Sequence, residues 1–190
     1  MKGRFTHNKI TLKEHIGLLD QNEKAGIKAL KNLLYKMRYK LKDIGYPRVS
    51  ENDELVYEYM NLIFETQDYR CTHWLEVKDG EINSSWNAPG SDYFKWRSSF
   101  LYYEIDHVYP CNAGGKDGLE NFQFLSANAN RFIKCSMVYE DLLKRVDLSD
   151  RLKNRIRDVL SKRKALFESK KWKDFVQKIN NYEKNIQQSA

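Results

Sequence analysis

The stretch EIDHVYPCNAGGKDGLENFQFLSANANRFIKC, residues 104–135, decides how the chain is read. Its pattern predicts strand, loop, strand, helix. SSFLYYEIDHV (98–108) reads as the first strand and FQFLS (122–126) as the second, and ANANRFIK opens a helix. Asp106 and His107 close the first strand. Adjacent residues of a regular strand point to opposite faces, so these two serve different tasks. Gly114-Gly115 and Gly118 permit a tight excursion that returns Asn121 to the side of the first strand. A bland reading exists: a strand end, a turn and asparagine caps. The sharper reading is a metal-dependent phosphodiesterase site. A carboxylate oxygen of Asp106 is a hard ligand suited to Mg2+. A neutral imidazole at His107, with an ordinary pKa of about 6.5, accepts a proton from water near neutral pH. Asn121 holds the loop or orients the imidazole. Asn130, on the helix, offers a carbonyl oxygen to the metal.

Charge distribution bears on that choice. Residues 1–50 carry 12 Lys+Arg against 4 Asp+Glu, and residues 151–190 carry 12 against 4. Residues 51–100 carry 4 against 10, and residues 101–150 carry 5 against 8. Two basic flanks thus enclose an acidic middle. The flanks suit a polyanion such as DNA, gripped through neutralised phosphates and released counterions; the alternative is solvated helix faces. The acidic middle repels that polyanion until a cation neutralises it.

Farther out, the chain reads as helical. Residues 11–44 predict one or two helices, opened by a capping box at Thr11 and Glu14 and stopped by Gly45 and Pro47. Ser50 is expected to cap a helix over about 51–66. LEVKDGEIN predicts a hairpin at Asp79-Gly80, and residues 84–97 a polar and aromatic loop. Ser149 is expected to cap a long helix with Leu152, Ile156, Val159, Leu160, Leu166 and Phe167 inward. A last helix carries Trp172, Phe175, Ile179 and Tyr182. The chain contains no run of about 18 apolar residues that would suggest a membrane span. The first 15 residues lack the apolar core of a signal peptide. The three cysteines, Cys71, Cys111 and Cys135, are odd in number and widely spaced, which predicts free thiols in a reducing cytoplasm.

The phrases EIDHVYP, GGKDGLENFQFLS and NANRFIK resemble the HNH endonucleases, which have the ββα-metal fold. That family shows Asp-His at a strand end, a Gly-Gly loop, an Asn in a phrase like this one, and a His or Asn nine residues later on a helix. Asn121 and Asn130 are nine apart, so the chain is similar to the His-Asn-Asn variant, found in the HNH domain of RNA-guided CRISPR nucleases. The likeness covers about 104–135 and, weakly, LIFETQDYRCTHW (62–74), which looks like the approach to the family's zinc knuckle. A knuckle needs cysteines at 71, 74, 126 and 129, where this chain has Cys71, Trp74, Ser126 and Ala129. One soft ligand cannot hold a structural zinc, so none is expected, and Trp74 with neighbouring aromatics is expected to fill the corner.

The resemblance implies an α+β protein: a ββα-metal (HNH) core at 51–136, between basic helical segments at 1–50 and 137–190. It implies a DNA endonuclease using Mg2+ or Mn2+, with Asp106 and Asn130 as metal ligands, His107 as general base and Asn121 as its support. Arg131 and Lys134 are candidates to touch phosphates near the cut, or are ordinary surface charges. A monomer with one such site nicks, and a homodimer breaks both strands; the oligomer is open. Phage-borne, mobile-element or defence roles fit by analogy alone. The rival is a non-catalytic DNA-binding module retaining the ββα shape. Other residues carry two readings each. Asn128 replaces Asn130 as ligand if the helix register differs, or caps the helix. Glu104 supports the ligands at one remove, or is a plain exposed strand residue. His73 packs or sits at the surface. His7 and His15 read as surface residues. Trp86, Tyr93 and Trp96, with Lys95 and Arg97, cover the sheet or stack on nucleic acid. Cys111 and Cys135 read as inert thiols.

Overall fold

A computed structural model describes residues 23–68, 71–73, 103–126 and 129–184, with side chains from Lys31 onward except at Phe132. Their order is helix α1 (Glu23–Asp43), helix α2 (Asp53–Thr66), strands β1 (Tyr103–His107) and β2 (Phe122–Ser126), a π-helical segment (Ala129–Lys134), a short helix α3 (Tyr139–Leu142), and long helices α4 (Asp150–Glu168) and α5 (Lys170–Lys184). The described residues thus form an α+β protein, mostly helical, with one small antiparallel sheet. The 11–22 part of the helical stretch expected over 11–44, residues 98–102 of the expected first strand, the Asp79-Gly80 hairpin, the aromatic loop at 84–97, Trp74 and Asn128 lie outside the described residues.

Local chemistry sets the element ends. After α1, Gly45 takes a left-handed conformation (φ 93°) and Tyr46 N–H donates to Leu41 C=O (2.9 Å), closing the helix. α2 is capped by Asn52, whose Oδ1 accepts from Leu55 N–H at 3.2 Å. Ser50 was the expected cap. It lies instead in a 3-10 turn, Val49–Glu51, and its hydroxyl donates to Pro47 C=O. Both residue types cap well, and two residues of shift decide between them. Ser149 caps α4 as expected, accepting from Leu152 N–H.

β1 and β2 pair in register, with Glu104 opposite Leu125, Asp106 opposite Gln123 and His107 opposite Phe122. β2 is buried on both faces, which suits its run of Phe, Gln, Phe, Leu and Ser only because Gln123 and Ser126 find partners. Phe124 stacks on Phe64 of α2, ring centroids 4.1 Å apart. Gln67 closes the back of the sheet through its amide: its nitrogen donates to Phe124 C=O (2.7 Å) and its oxygen accepts Phe124 N–H (3.0 Å). The main core joins Leu33, Leu34, Met37 and Leu41 of α1, the apolar face of α2, β2, and Trp172, Phe175 and Ile179 of α5. The described parts of the three segments distinguished in the sequence therefore share one core. A second cluster, Ile133, Tyr139, Leu142, Leu148, Leu152 and Ile156, lies behind the π-helical segment.

One buried cation fastens α4 to the sheet. Arg163, 3% exposed, donates to Glu120 C=O (2.9 Å) and Phe122 C=O (2.8 Å) at the start of β2. Burial lowers its guanidinium to about 10, still charged at neutral pH. Asp68, held at φ 50° just beyond α2, adds a second tie through Arg155 (2.5 Å) and Lys162 (2.9 Å).

Candidate functional site

The loop between β1 and β2 positions most of the candidate residues. Gly114 takes φ 94°, which a side chain resists. A Cβ on Gly115 would stand 2.0 Å from Tyr109 C=O, so only glycine fits there. Asn121 holds the two limbs of this loop. Its amide nitrogen donates to Tyr109 C=O and Lys116 C=O, both at 2.9 Å, and its Oδ1 accepts from Tyr109 N–H at 2.8 Å. Its backbone carbonyl accepts from Val108 N–H at 2.8 Å. Of the two roles the sequence left open, these bonds serve the loop.

His107 lies half-buried with its ring 5.3 Å from that of Phe122. Its Nε2 is 2.6 Å from Asp117 Oδ1. The same bond, with burial opposing it, holds the Asp117 carboxyl below its ordinary value. An ionised carboxylate accepts a hydrogen bond, so the neutral form of the ring carries its hydrogen at Nε2 and its lone pair at Nδ1. Cys111 Sγ is 3.7 Å from the same Nε2, so this thiol has an imidazole neighbour that the sequence order did not suggest.

Asp106 occupies the opposite face, as the alternation predicts. It is 15% exposed at its side chain. Gln123, its cross-strand partner, donates to Asp106 Oδ2 at 3.0 Å. Gln123 Oε1 accepts from the Tyr139 hydroxyl at 2.8 Å, and that hydroxyl is 3.4 Å from His73 Nε2. A polar chain thus runs from His73 to Asp106 through a buried interior. His73 is buried, the packed one of the two places the sequence left open, and burial drives its imidazole down to about 3. Burial raises the Asp106 carboxyl, an effect Lys134 counters.

The π-helical segment sets two further side chains on the face of β1. Cys135 N–H donates to Asn130 C=O at 2.7 Å, a five-residue step that places Asn130 and Lys134 along the strand. Asn130 Nδ2 donates to Glu104 Oε2 at 2.8 Å. The carboxylate takes the amide hydrogens and leaves the carbonyl end for a cation. Glu104 is therefore not a plain exposed strand residue: its other oxygen receives Arg131 at 2.6 Å. Arg131 is an exposed side chain engaged in that pair. Lys134, weighed as a surface contact to phosphate, is corrected by its surroundings. It is fully buried, with its ammonium 3.8 Å from Asp106 Oδ2 and 5.3 Å from the Tyr139 ring centre. No hydrogen-bond acceptor reaches that ammonium among the described residues.

Beside Glu104 and Asn130 opens a cavity of about 420 Å3, lined from α1 by Tyr35, Lys36, Tyr39, Lys40 and Asp43. Tyr35 and Tyr39 are 59% and 53% exposed, large values for aromatic rings, and their rings meet edge to face at 4.8 Å. Lys40 reaches toward the loop, 3.9 Å from Asp117. The acidic corner at Glu104 thus adjoins an aromatic and basic wall.

Positions 71, 126 and 129 converge. Cys71 Sγ accepts from Ser126 N–H at 3.3 Å, and Ser126 Oγ accepts from Ala129 N–H at 3.2 Å. Burial raises the Cys71 thiol above its ordinary value. Among the described residues, no helix is long and apolar enough to cross a membrane, and all three cysteines are free. No protein-family model, curated protein or solved structure matches the chain.

Asp106, His107, Asn121 and Asn130 all belong to one strand-loop-strand-helix unit. Sequence reasoning missed Asp117 as the partner of His107 and Gln123 as the partner of Asp106. It also missed Lys134 as an internal cation.

Proposed function

We propose that the protein is a divalent-metal-dependent DNA endonuclease of the HNH type, with a ββα-metal core formed by β1, β2 and the π-helical segment. One observation carries this reading: His107 is paired with Asp117 at the end of β1, while the other face of that strand carries Asp106, held by Gln123 and Lys134, and Glu104, bonded to Asn130. The convergence of positions 71, 126 and 129 supports it separately, since these are the positions the family uses for its knuckle.

Mg2+ or Mn2+ fits the donors. Asp106 supplies a carboxylate oxygen and Asn130 an amide oxygen, both hard. Glu104 fixes the amide so that its oxygen is the available end. A bound cation would withdraw charge from the scissile phosphate and the leaving 3′ oxygen. The chain's own residues do the rest. Asp117 holds the ring hydrogen of His107 at Nε2. Nδ1 then takes a proton from a water, whose oxygen attacks phosphorus. The bond from phosphorus to the 3′ oxygen breaks, and that oxygen gains a proton from solvent. The products carry 5′-phosphate and 3′-hydroxyl ends. Asn121 keeps the loop closed so that His107 and Asp117 stay paired. The wall of Tyr35, Lys36, Tyr39 and Lys40 takes the strand entering the site, aromatic faces to sugar or base and ammonium groups to phosphate. A monomer with one such site nicks.

Supercoiled plasmid incubated with the protein and Mg2+ or Mn2+ tests the reading. Conversion to open circles, abolished by His107→Ala, supports it. Tight DNA binding without nicking in either ion would favour the non-catalytic module instead.

A further inference from the structure

The β1–β2 loop gathers three ligating groups of a different chemical kind from the oxygen donors of Asp106 and Asn130. His107, Cys111 and Asp117 each present one ligand atom, and these atoms all lie within 4.8 Å of one another. Cys111 Sγ and His107 Nε2 stand 3.7 Å apart. Tetrahedral zinc with metal–sulfur and metal–nitrogen bonds of about 2.3 and 2.0–2.1 Å requires a separation of roughly 3.5 Å, so the thiol and imidazole are already spaced for it. Asp117 Oδ1, at 2.6 Å from Nε2, must move outward by less than about 1 Å to share the ion. Its side chain is 46% exposed and free to do so. The backbone around these residues is held by Asn121 and by the tight contact at Gly115, so the three groups come preassembled rather than by chance of a loose loop.

We infer that His107, Cys111 and Asp117 form a regulatory site for a thiophilic divalent ion, Zn2+ above all, and that its occupation switches the hydrolytic site off. The inhibitory part rests on the proposed role of His107; the binding part does not. Mg2+ avoids thiolate, and Zn2+ accepts sulfur, nitrogen and oxygen together. Three protein ligands leave a fourth position for water, the pattern of an exchangeable site rather than a structural one. Binding proceeds with a balanced proton count. The Cys111 thiol releases its proton to solvent. The Nε2 lone pair goes to the ion, and the ring hydrogen moves through water to Nδ1. The nitrogen that would deprotonate the attacking water is then protonated and no longer a base. Asp117 is drawn from the imidazole to the ion at the same time. The site is separate from the Cys71 corner, where a single buried sulfur accepts a hydrogen bond.

The experiment uses the full chain. Zn2+ affinity is measured by competition with a chromophoric chelator, and Co2+ is used as a spectroscopic substitute. The parent protein should take up one ion and show a thiolate-to-cobalt charge-transfer band in the near ultraviolet. Cys111→Ser should lose that band and weaken Zn2+ binding by more than about tenfold. In the presence of Mg2+, Zn2+ should inhibit nicking by the parent, and Cys111→Ser should need more than about tenfold more Zn2+ for the same inhibition while nicking normally without it. A cobalt spectrum without thiolate character, or equal Zn2+ affinity in parent and variant, would overturn the site. Equal inhibition of both would overturn its regulatory role and locate the inhibitory ion elsewhere. A parent protein that never nicks counts against the proposed function, and the binding and cobalt measurements then decide the site by themselves.

Discussion

His107 Nε2 and Asp117 Oδ1 lie 2.6 Å apart, across a loop closed by Asn121. A carboxylate in that place fixes the imidazole tautomer and would stabilise the imidazolium formed in the proposed proton transfer, as a buried aspartate does for the histidine of a hydrolase triad. Asp117 is partly exposed, so solvent screens part of the effect. Asp117→Asn should lower the single-turnover nicking rate by about 10- to 100-fold, less than the loss in a buried triad. DNA affinity should stay within about threefold, since the residue is given no contact with DNA. Single-turnover kinetics and a binding isotherm separate the two. An unchanged rate would remove Asp117 from the mechanism.

The exposed aromatic pair on α1 makes a different demand. Tyr35 and Tyr39, with Lys36 and Lys40, line the cavity beside Asn130. Stacking contributes about 1–3 kcal/mol per base when measured by alanine substitution. The double variant Tyr35→Ala, Tyr39→Ala should therefore weaken oligonucleotide binding by at least about tenfold and raise KM with little change in kcat. Replacing Lys36 and Lys40 by alanine should lower the slope of log affinity against log salt by about 2. Binding that ignores all four residues would show that the substrate strand takes another path.

His73 gives a test by pH. Its imidazole has a folded value of about 3, driven by burial and by the positive charges of Lys134 and Arg145. The unfolded chain protonates this group near 6.5, and the folded chain does not until far lower. The unfolded state thus binds more protons between those values, and stability is lost as pH falls through that window. From pH 6.5 to pH 5 the loss from this residue is roughly 1–2 kcal/mol. His73→Phe keeps an aromatic ring against Tyr139 and removes the titration. Denaturant unfolding of parent and variant should differ in slope with pH across that interval. Parallel slopes would mean that His73 is not held neutral by burial.

Much of the site was legible because its sequence obeys short-range rules. The short segment FQFLS reads as β2, the glycines at 114 and 115 mark the sharp return, and adjacency on β1 separates Asp106 from His107. Asp117 was hidden because no periodicity governs a Gly-rich loop, so nothing in its spacing tells which residue turns back to the imidazole. Lys134 was hidden for two reasons. Lysine is rarely enclosed, so composition argues for the surface. Its approach to Asp106 also depends on the π-helical pitch, which ordinary helical spacing does not anticipate. Arg163 was invisible in the same way: only the packing of α4 against β2 gives a buried guanidinium two carbonyls to hold.

Lys134 yields the sharpest consequence for metal dependence. Its ammonium sits 3.8 Å from Asp106 and is sealed from water. It neutralises the carboxylate that would otherwise face a divalent cation, so it both stabilises the metal-free protein and competes for the same charge. Two charges near 4 Å interact by about 4 kcal/mol at an effective dielectric of 20, an attraction that a cation arriving at Asp106 has to offset. Lys134→Met keeps the length of the side chain and removes the charge. In the absence of metal the variant should be less stable by roughly 1–3 kcal/mol, because Asp106 is left buried without its counter-charge. Mg2+ should narrow that gap in thermal unfolding by up to about 1 kcal/mol, since it binds the variant more tightly than the parent. The Mg2+ concentration giving half-maximal nicking should fall by about three- to tenfold. Parent and variant sharing one Mg2+ dependence in both assays would mean that the cation does not bind at Asp106, and the ligand assignment of Asp106 and Asn130 would have to be abandoned.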